Sequence, residues 1–120
     1  MHPDGFVWIG CPHTTCALVI CEADTDMLAD LEKAAGRLFA SMEPFAHRRN
    51  NNPNASAHLV SAFAGSQLLI PVSGGRMQLV AYQRLVFMEL DGPKEHRIVR
   101  VGHLPGIEPG PASTDAVQTR

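Results

Sequence analysis

The sequence lacks the short motifs that mark the commoner metal and nucleotide sites. It contains no Cys-x-x-Cys pair, no His-Glu-x-x-His segment and no glycine-rich loop followed by Lys, which argues against zinc fingers, metalloproteases of that type and P-loop nucleotide binding. No apolar run approaches the roughly 20 residues of a bilayer-spanning helix. The N-terminus lacks the basic and apolar regions of a signal peptide. We therefore expect no membrane partner.

The sequence also lacks a strong charge imbalance. Lys and Arg number 10 against 12 Asp and Glu, for a net charge of −2. Such a surface does not favour nucleic acid as a partner. An apolar content of 45% in 120 residues is typical of one globular domain with a real core.

Cysteines are few, at positions 11, 16 and 21. An odd number without an export signal favours reduced thiols and a cytoplasmic location. The spacing matches no metal motif, so we interpret all three as small buried apolar residues. A Cys–His nucleophile using Cys11 or Cys16 stays open in principle, although nothing marks either thiol as activated.

Hydrophobic patterning predicts the order strand, strand, helix, helix, strand, strand, strand. The predicted strands span residues 6–10, 15–21, 67–72, 77–90 and 97–101, and the predicted helices 25–40 and 55–64. The segregated runs, with a hairpin signal at Ser73-Gly74-Gly75, indicate an α+β fold with a mostly antiparallel sheet. Residues 1–103 form the predicted domain, and the Pro-, Gly- and Ser-rich residues 104–120 a disordered tail.

Three histidines lie on or beside predicted connections and are candidates for one site: His13, His47 and His58. Three imidazoles with an open fourth position are a common way to hold a catalytic zinc ion. Their separations match no local metal motif, so the alternative of ordinary core or surface histidines stays open. Arg48 and Arg49, in the same loop as His47, indicate either an anion site or a solvated loop.

Two carboxylates and one amide also stand out. Glu22 ends an apolar predicted strand and is either a site carboxylate or a solvated strand end. Gln83 and Glu89 fall on one face of the long predicted strand 77–90. Polar groups on an otherwise apolar face must be hydrogen-bonded or functional.

A series of short motifs resembles the YjbQ family, whose members are known as secondary thiamine-phosphate synthases. The resemblance runs from residue 5 to about residue 102 and is most specific in its first two elements. The motifs are His13-Thr14-Thr15-Cys16-Ala17-Leu18, Asn54-Ala55-Ser56-Ala57-His58-Leu59, Glu89-Leu90-Asp91-Gly92-Pro93 and Tyr82-Gln83, with Glu22, His47 and Arg97 between or after them.

The resemblance implies a small sandwich-like domain that forms a homotrimer. It implies an activity that joins a hydroxymethylpyrimidine diphosphate to a thiazole phosphate and releases pyrophosphate. It further implies a divalent metal, zinc first, held by His13, His47 and His58. Glu22 or Glu89 would orient a histidine, and Arg97 would neutralise phosphate charge. The remaining motif residues expected to bind substrate are Thr14, Thr15, Asn54 and Gln83.

The chain departs from the family pattern in three places. It begins without the upstream residues that form the family's opening strands. Tyr82 stands where the family has Trp, and Ser56 stands where it has Asp. Two further functions therefore stay open: a non-enzymatic trimer that binds a phosphorylated metabolite or a metal, and an inactive, truncated member of the family.

Overall fold

The structure, a computed structural model, describes residues 4–48 and 53–106. These residues form an α+β fold in which every strand pairing is antiparallel, as predicted. The elements are β1 (Gly5–Gly10), β2 (Cys16–Cys21), α1 (Thr25–Arg37), a 3-10 turn (Ala40–Met42), α2 (Ala55–Ala64), β3 (Gln67–Ser73), β4 (Arg76–Met77), β5 (Arg84–Glu89) and β6 (Arg100–Leu104).

The strands form two sheets. One has four strands in the order β4-β3-β1-β6, and the other pairs β2 with β5. Ile9 and Ile70 from the larger sheet meet Leu18 from the smaller one in a single buried cluster. Helix α2 packs on β2, and the Ser61 hydroxyl donates to the Cys16 carbonyl at 2.6 Å. The start of β2 is therefore held between a sheet and a helix.

The prediction of one long strand over residues 77–90 is wrong, because the chain forms two short strands in this region. β4 pairs with β3 in the larger sheet and β5 pairs with β2 in the smaller one. Between them the chain turns: Gln83 N–H donates to the Val80 carbonyl at 3.0 Å, and Val80 N–H donates to the Gln83 side chain at 2.8 Å. Tyr82 has φ +72°, which a strand excludes. Gln83 therefore does not share a strand face with Glu89.

Other predicted boundaries are close to the observed ones. The Asp24 carboxylate accepts from Met27 N–H at 2.7 Å and caps α1. That helix ends at Arg37 rather than near residue 40. Helix α2 spans the predicted residues, and the hairpin lies at Gly74 and Gly75, both with positive φ. The last strand starts at Arg100, three residues later than predicted.

Helix α1 has no buried residue. Its half-buried positions are Met27, Leu31 and Ala35, which recur every four residues and so share one face. Leu28 on the same helix and Leu38, which directly follows it, remain 40% and 59% exposed. The apolar stripe that predicts this helix is therefore only partly covered within one chain.

The expectation of reduced thiols is wrong for two of the three cysteines. Cys11 and Cys16 form a disulfide, and Cys21 is free and half-buried. Both bonded cysteines are buried, as predicted for their side chains. Because the prediction of a cytoplasmic location used the reduced state as a premise, the cysteines no longer support it.

Two further predictions concern membrane-spanning helices and the C-terminal tail. No helix in residues 4–48 or 53–106 is long and apolar enough to cross a bilayer. Leu104, placed in the predicted tail, ends β6 and pairs with Phe6. Residues 107–120, which hold most of that predicted tail, lie outside the described residues.

Candidate functional site

An ion pair ties the end of β5 to the start of β2. Register places Cys16 opposite Glu89, so the neighbouring residue Thr15 lies beside that carboxylate. Arg97 Nε donates to Glu89 Oε1 at 2.7 Å, and its Nη2 donates to the other carboxylate oxygen and to Thr15 Oγ1 at 2.9 Å. The same nitrogen reaches the Thr15 carbonyl at 3.1 Å. One guanidinium thus joins three segments.

The same contacts set the ionisation of this pair. The hydrogen bond from Arg97 lowers the pKa of Glu89 to about 2, and the Asp91 backbone N–H, at 3.0 Å from Oε2, adds to the effect. The carboxylate in turn raises the pKa of Arg97. Glu89 is therefore a fixed anion at neutral pH, and it cannot serve as a general acid there.

His13 holds the segment that follows β5. Its ring is half-buried, and its Nε2 accepts from the Ile98 backbone N–H at 2.9 Å. An acceptor nitrogen carries no proton, so this contact belongs to the neutral imidazole. His13 and Arg97 therefore attach neighbouring positions of one connection to the loop between β1 and β2.

Asn54 links the start of α2 to the same connection. It directly precedes α2, but its side chain makes no capping hydrogen bond. Its Nδ2 instead donates to Asp91 Oδ2 at 2.8 Å. Lys94 lies 3.6 Å from that oxygen. Asp91 belongs to the Glu89-Leu90-Asp91-Gly92-Pro93 motif but is not among the predicted site residues, because nothing in the sequence shows that Asn54 and Lys94 lie beside it.

His47 and His58 form a pair at the other side of Asn54. Their ring centroids are 4.9 Å apart with an interplanar angle of 76°, an edge-to-face contact. His58 is in the first turn of α2, where its N–H donates to the Asn54 carbonyl at 3.2 Å. His47 and Arg48 line a cavity of about 500 Å³, together with Glu43, Pro44, Phe45, Pro53 and Ala55.

A second cavity, of about 550 Å³, lies between α1, the start of α2 and β5. Its apolar wall includes Leu28 and Leu31 of α1. Asn54, Glu89 and Asp91 are on its polar side. Pro53 lines both cavities, so the two spaces adjoin at the start of α2.

Several predicted site residues come together, and two lie elsewhere. Thr15, Glu89, Arg97 and His13 surround one connection, and His47 and His58 contact each other. Glu22 follows the Cys21–Arg84 pair and Gln83 precedes it, at the opposite end of the β2–β5 ribbon. Five residues along a strand span about 17 Å. Thr14 is exposed in the loop.

The arrangement within one subunit does not fit a three-histidine zinc site. Among residues 4–48 and 53–106, no group of three His, Cys, Asp or Glu side chains lies close enough to hold a metal ion. His47 and His58 do meet. His13 Nε2 is occupied by the Ile98 N–H.

Comparison with known proteins identifies the family. The family described as UPF0047 protein YjbQ-like matches residues 1–104. A UPF0047 protein of Archaeoglobus fulgidus is 36% identical over 96 residues, covering 80% of this chain and 75% of the relative. UPF0047 protein YugU of Bacillus subtilis is 36% identical over 93 residues, covering 75% of this chain and 67% of YugU. The chain therefore belongs to the YjbQ family.

Solved structures show the same fold. A YbjQ-like protein of unknown function from Sulfolobus solfataricus P2 superimposes with a TM-score of 0.76 at 28% identity, covering 82% of this chain and 70% of that chain. An uncharacterized conserved protein of the yjbq/upf0047 family from Clostridium acetobutylicum gives 0.76 at 30% identity, with coverages of 86% and 78%. The predicted YjbQ family and the predicted α+β fold with antiparallel sheets are both confirmed.

Proposed function

We propose that the chain binds a phosphorylated small molecule, with the phosphate at His47, His58 and Arg48 and the organic part in the adjoining cavity. The observation that carries the proposal is the edge-to-face histidine pair, one member of which lines a cavity with Arg48. Imidazole N–H groups and a guanidinium are the donors that phosphate oxygens accept from most readily. His47 and Arg48 at the cavity, with His58 against the His47 ring, give that chemistry.

The arginine that we assign to the phosphate differs from Arg97, the one that the resemblance implies. Arg97 already donates to Glu89 and Thr15, so replacing those partners with a phosphate would leave the Glu89 carboxylate without its cation. Such a loss is costly for a partly buried pair. We therefore assign phosphate contact to Arg48 and a positioning role to Arg97.

The enzymatic form of the proposal is a transferase of the thiamine-phosphate synthase type. In that reaction the thiazole nitrogen attacks the methylene carbon of the pyrimidine diphosphate. A C–N bond forms, the C–O bond breaks, and its electron pair leaves with pyrophosphate. His47, His58 and Arg48 would stabilise the negative charge of the departing pyrophosphate.

The second candidate is a binder without turnover. It is favoured because the polar groups beside the larger cavity are already paired with other side chains of the protein. Glu89 is paired with Arg97, and Asp91 contacts both Asn54 and Lys94. A carboxylate held in this way is poorly suited to moving protons at neutral pH.

Binding is tested by thermal unfolding of the full chain with inorganic phosphate or pyrophosphate. A ligand that binds only the folded state raises Tm as its concentration passes Kd. We expect a concentration-dependent rise for the wild type and a loss of at least tenfold in affinity for His58→Ala and His47→Ala. His96→Ala is the matched control, because His96 is an exposed histidine outside both cavities.

The outcomes separate the candidates. Equal shifts in the wild type and in folded His58→Ala would contradict the phosphate site. Turnover is tested separately with the pyrimidine diphosphate and the thiazole phosphate together, followed by detection of the coupled product and pyrophosphate. Binding with product supports the transferase, and binding without product supports the non-enzymatic binder.

We further propose that the subunit functions as a homotrimer, as the resemblance implies. The support is the apolar surface that one chain leaves open. Phe63 is 76% exposed and Val101 70% exposed, and α1 buries none of its residues. Contacts between subunits would cover such surfaces.

A further inference from the structure

The disulfide closes the loop that carries the His13-Thr14-Thr15 motif. Cys11 directly follows β1, and Cys16 is the first residue of β2. The bond therefore fixes the distance between the ends of two strands that belong to different sheets. Neither strand pairs with the other, so the covalent link constrains this loop in a way that no sheet hydrogen bond does.

Both cysteines sit in the packed interior, and their backbones are held by α2 and the residues after it. Cys11 is 3% exposed and Cys16 is 0% exposed. Cys11 N–H donates to the Ser66 carbonyl at 2.9 Å, and the Cys16 carbonyl accepts from the Ser61 hydroxyl. Non-bonded sulfur atoms stay further apart than bonded ones, and a packed interior has little room to spare. Breaking the bond therefore requires the loop to move.

The loop holds the connection between β5 and β6 through four hydrogen bonds. The Thr15 carbonyl accepts from Leu90 N–H at 3.1 Å and from Arg97 Nη2, and the Thr15 hydroxyl also accepts from Arg97 Nη2. His13 Nε2 accepts from Ile98 N–H. All four depend on the positions of residues 13–15. The connection also carries Asp91, which lines the larger cavity.

We propose that the Cys11–Cys16 disulfide is a reversible redox switch. When oxidised it fixes the connection after β5, and when reduced it lets that connection move. The inference goes beyond phosphate binding and does not depend on it. In the reducing step, one thiolate of a dithiol attacks a cysteine sulfur and the S–S bond breaks. The second thiol of the dithiol then resolves the mixed disulfide. Two electrons and two protons pass to Cys11 and Cys16, and the dithiol leaves as its own disulfide. The bond re-forms by the same exchange in reverse, with a small-molecule disulfide such as glutathione disulfide as the oxidant that takes up the two electrons and two protons.

The reductant reaches the bond by local opening of the loop. Pro12 and Thr14 are exposed, and residues 11–15 are in no strand or helix. Segments with few backbone hydrogen bonds open at lower free energy than the sheets around them. Reduction of the folded protein is therefore expected without denaturant, on a slower timescale than for an exposed disulfide.

The test compares the full-length protein purified without reductant with the same protein treated with dithiothreitol. Alkylation and intact mass count the free thiols, with one expected before reduction and three after. Hydrogen exchange is then measured at the amides of Leu90 and Ile98, whose acceptors are Thr15 and His13. We expect exchange at both to rise at least tenfold on reduction, while amides of β1 and β3 keep their rates.

Two variants complete the test. The double variant Cys11→Ala/Cys16→Ala is expected to show fast exchange without reductant, and Cys21→Ala, which removes the free cysteine, to behave as the wild type. Three alkylated thiols after treatment with glutathione disulfide would overturn the proposal. So would a bond that dithiothreitol cannot reduce in the folded protein, or equal exchange in the two redox forms.

Discussion

Arg97 and Glu89 show how much of this site depends on two residues. The guanidinium is 14% exposed and the carboxylate 32% exposed, so the pair is screened by solvent only in part. Together they join the end of β5, the start of β2 and the connection to β6. A pair with these contacts contributes more than a freely exposed ion pair, for which values near zero are common.

The pH dependence of stability tests this pair. Folding lowers the pKa of Glu89 from 4.5 to about 2. Its contribution is therefore complete above about pH 4.5 and is lost as the pH falls toward 2. Allowing for solvent screening, we expect Glu89→Gln to lower the free energy of unfolding by about 1–2 kcal/mol at pH 6, with the gap narrowing steadily below about pH 4.5 as the pH falls toward 2.

Urea unfolding at several pH values measures the gap between wild type and variant. Using the difference cancels the acid sensitivity that both proteins share. A gap that stays constant from pH 6 to pH 2.5 would contradict the assigned role of the Glu89 charge.

Residue roles were only partly predictable from the sequence. Glu89 stood out because a carboxylate interrupts an apolar run, and the motif resemblance pointed to Arg97 and the histidines. The partners were not predictable, because the contact between His13 and Ile98 joins positions 85 residues apart. The Cys11–Cys16 bond was missed because an odd cysteine count does not show which thiols meet.

Backbone conformation at the end of α2 decides how that helix joins β3. Gly65 has φ +96° and open space where a Cβ would stand. Its N–H donates to the Ser61 carbonyl, and its own carbonyl accepts from Leu18 N–H at 3.0 Å. The glycine is thus required by its dihedral angle, which L side chains rarely adopt, and not by crowding.

A pair of alanine substitutions separates these effects. Gly65→Ala is expected to lower the free energy of unfolding by about 1–2 kcal/mol through backbone strain. Gly36→Ala, inside α1 and equally open, is expected to raise it by about 0.5–1 kcal/mol, because alanine favours helix. Chemical denaturation of both variants checks the signs. Equal changes in the free energy of unfolding at the two positions would show that the backbone conformation of Gly65 is not the cause of its effect.

Elements were predicted best where one local signal decides the structure. The predicted start of a helix at residue 25, the predicted end of the next at residue 64 and the hairpin at Gly74-Gly75 all depend on neighbouring residues, and the structure has them. Asp24 caps the first helix and Gly65 ends the second. The break between β4 and β5 was missed because both segments are apolar on two faces. Hydrophobic periodicity cannot show that the chain moves from one sheet to another, and Tyr82 is not a residue that marks a turn.

The mass of the assembly tests the trimer at the scale of the whole molecule. Light scattering coupled to size-exclusion chromatography should give about three times the 13.0 kDa of the chain. Val101 is 70% exposed, and we expect Val101→Asp to shift the mass toward one chain. A wild-type mass of one chain would contradict the trimer.

The strands alternate between the two sheets along the chain, and this order affects folding and proteolytic cleavage. β1 belongs to the larger sheet, β2 to the smaller, β3 and β4 to the larger, β5 to the smaller and β6 to the larger. No single cut of the polypeptide can therefore separate one sheet from the other. We expect the described region to have no protease-resistant fragment that contains one sheet alone, and a nicked chain to stay associated until both sheets are lost together.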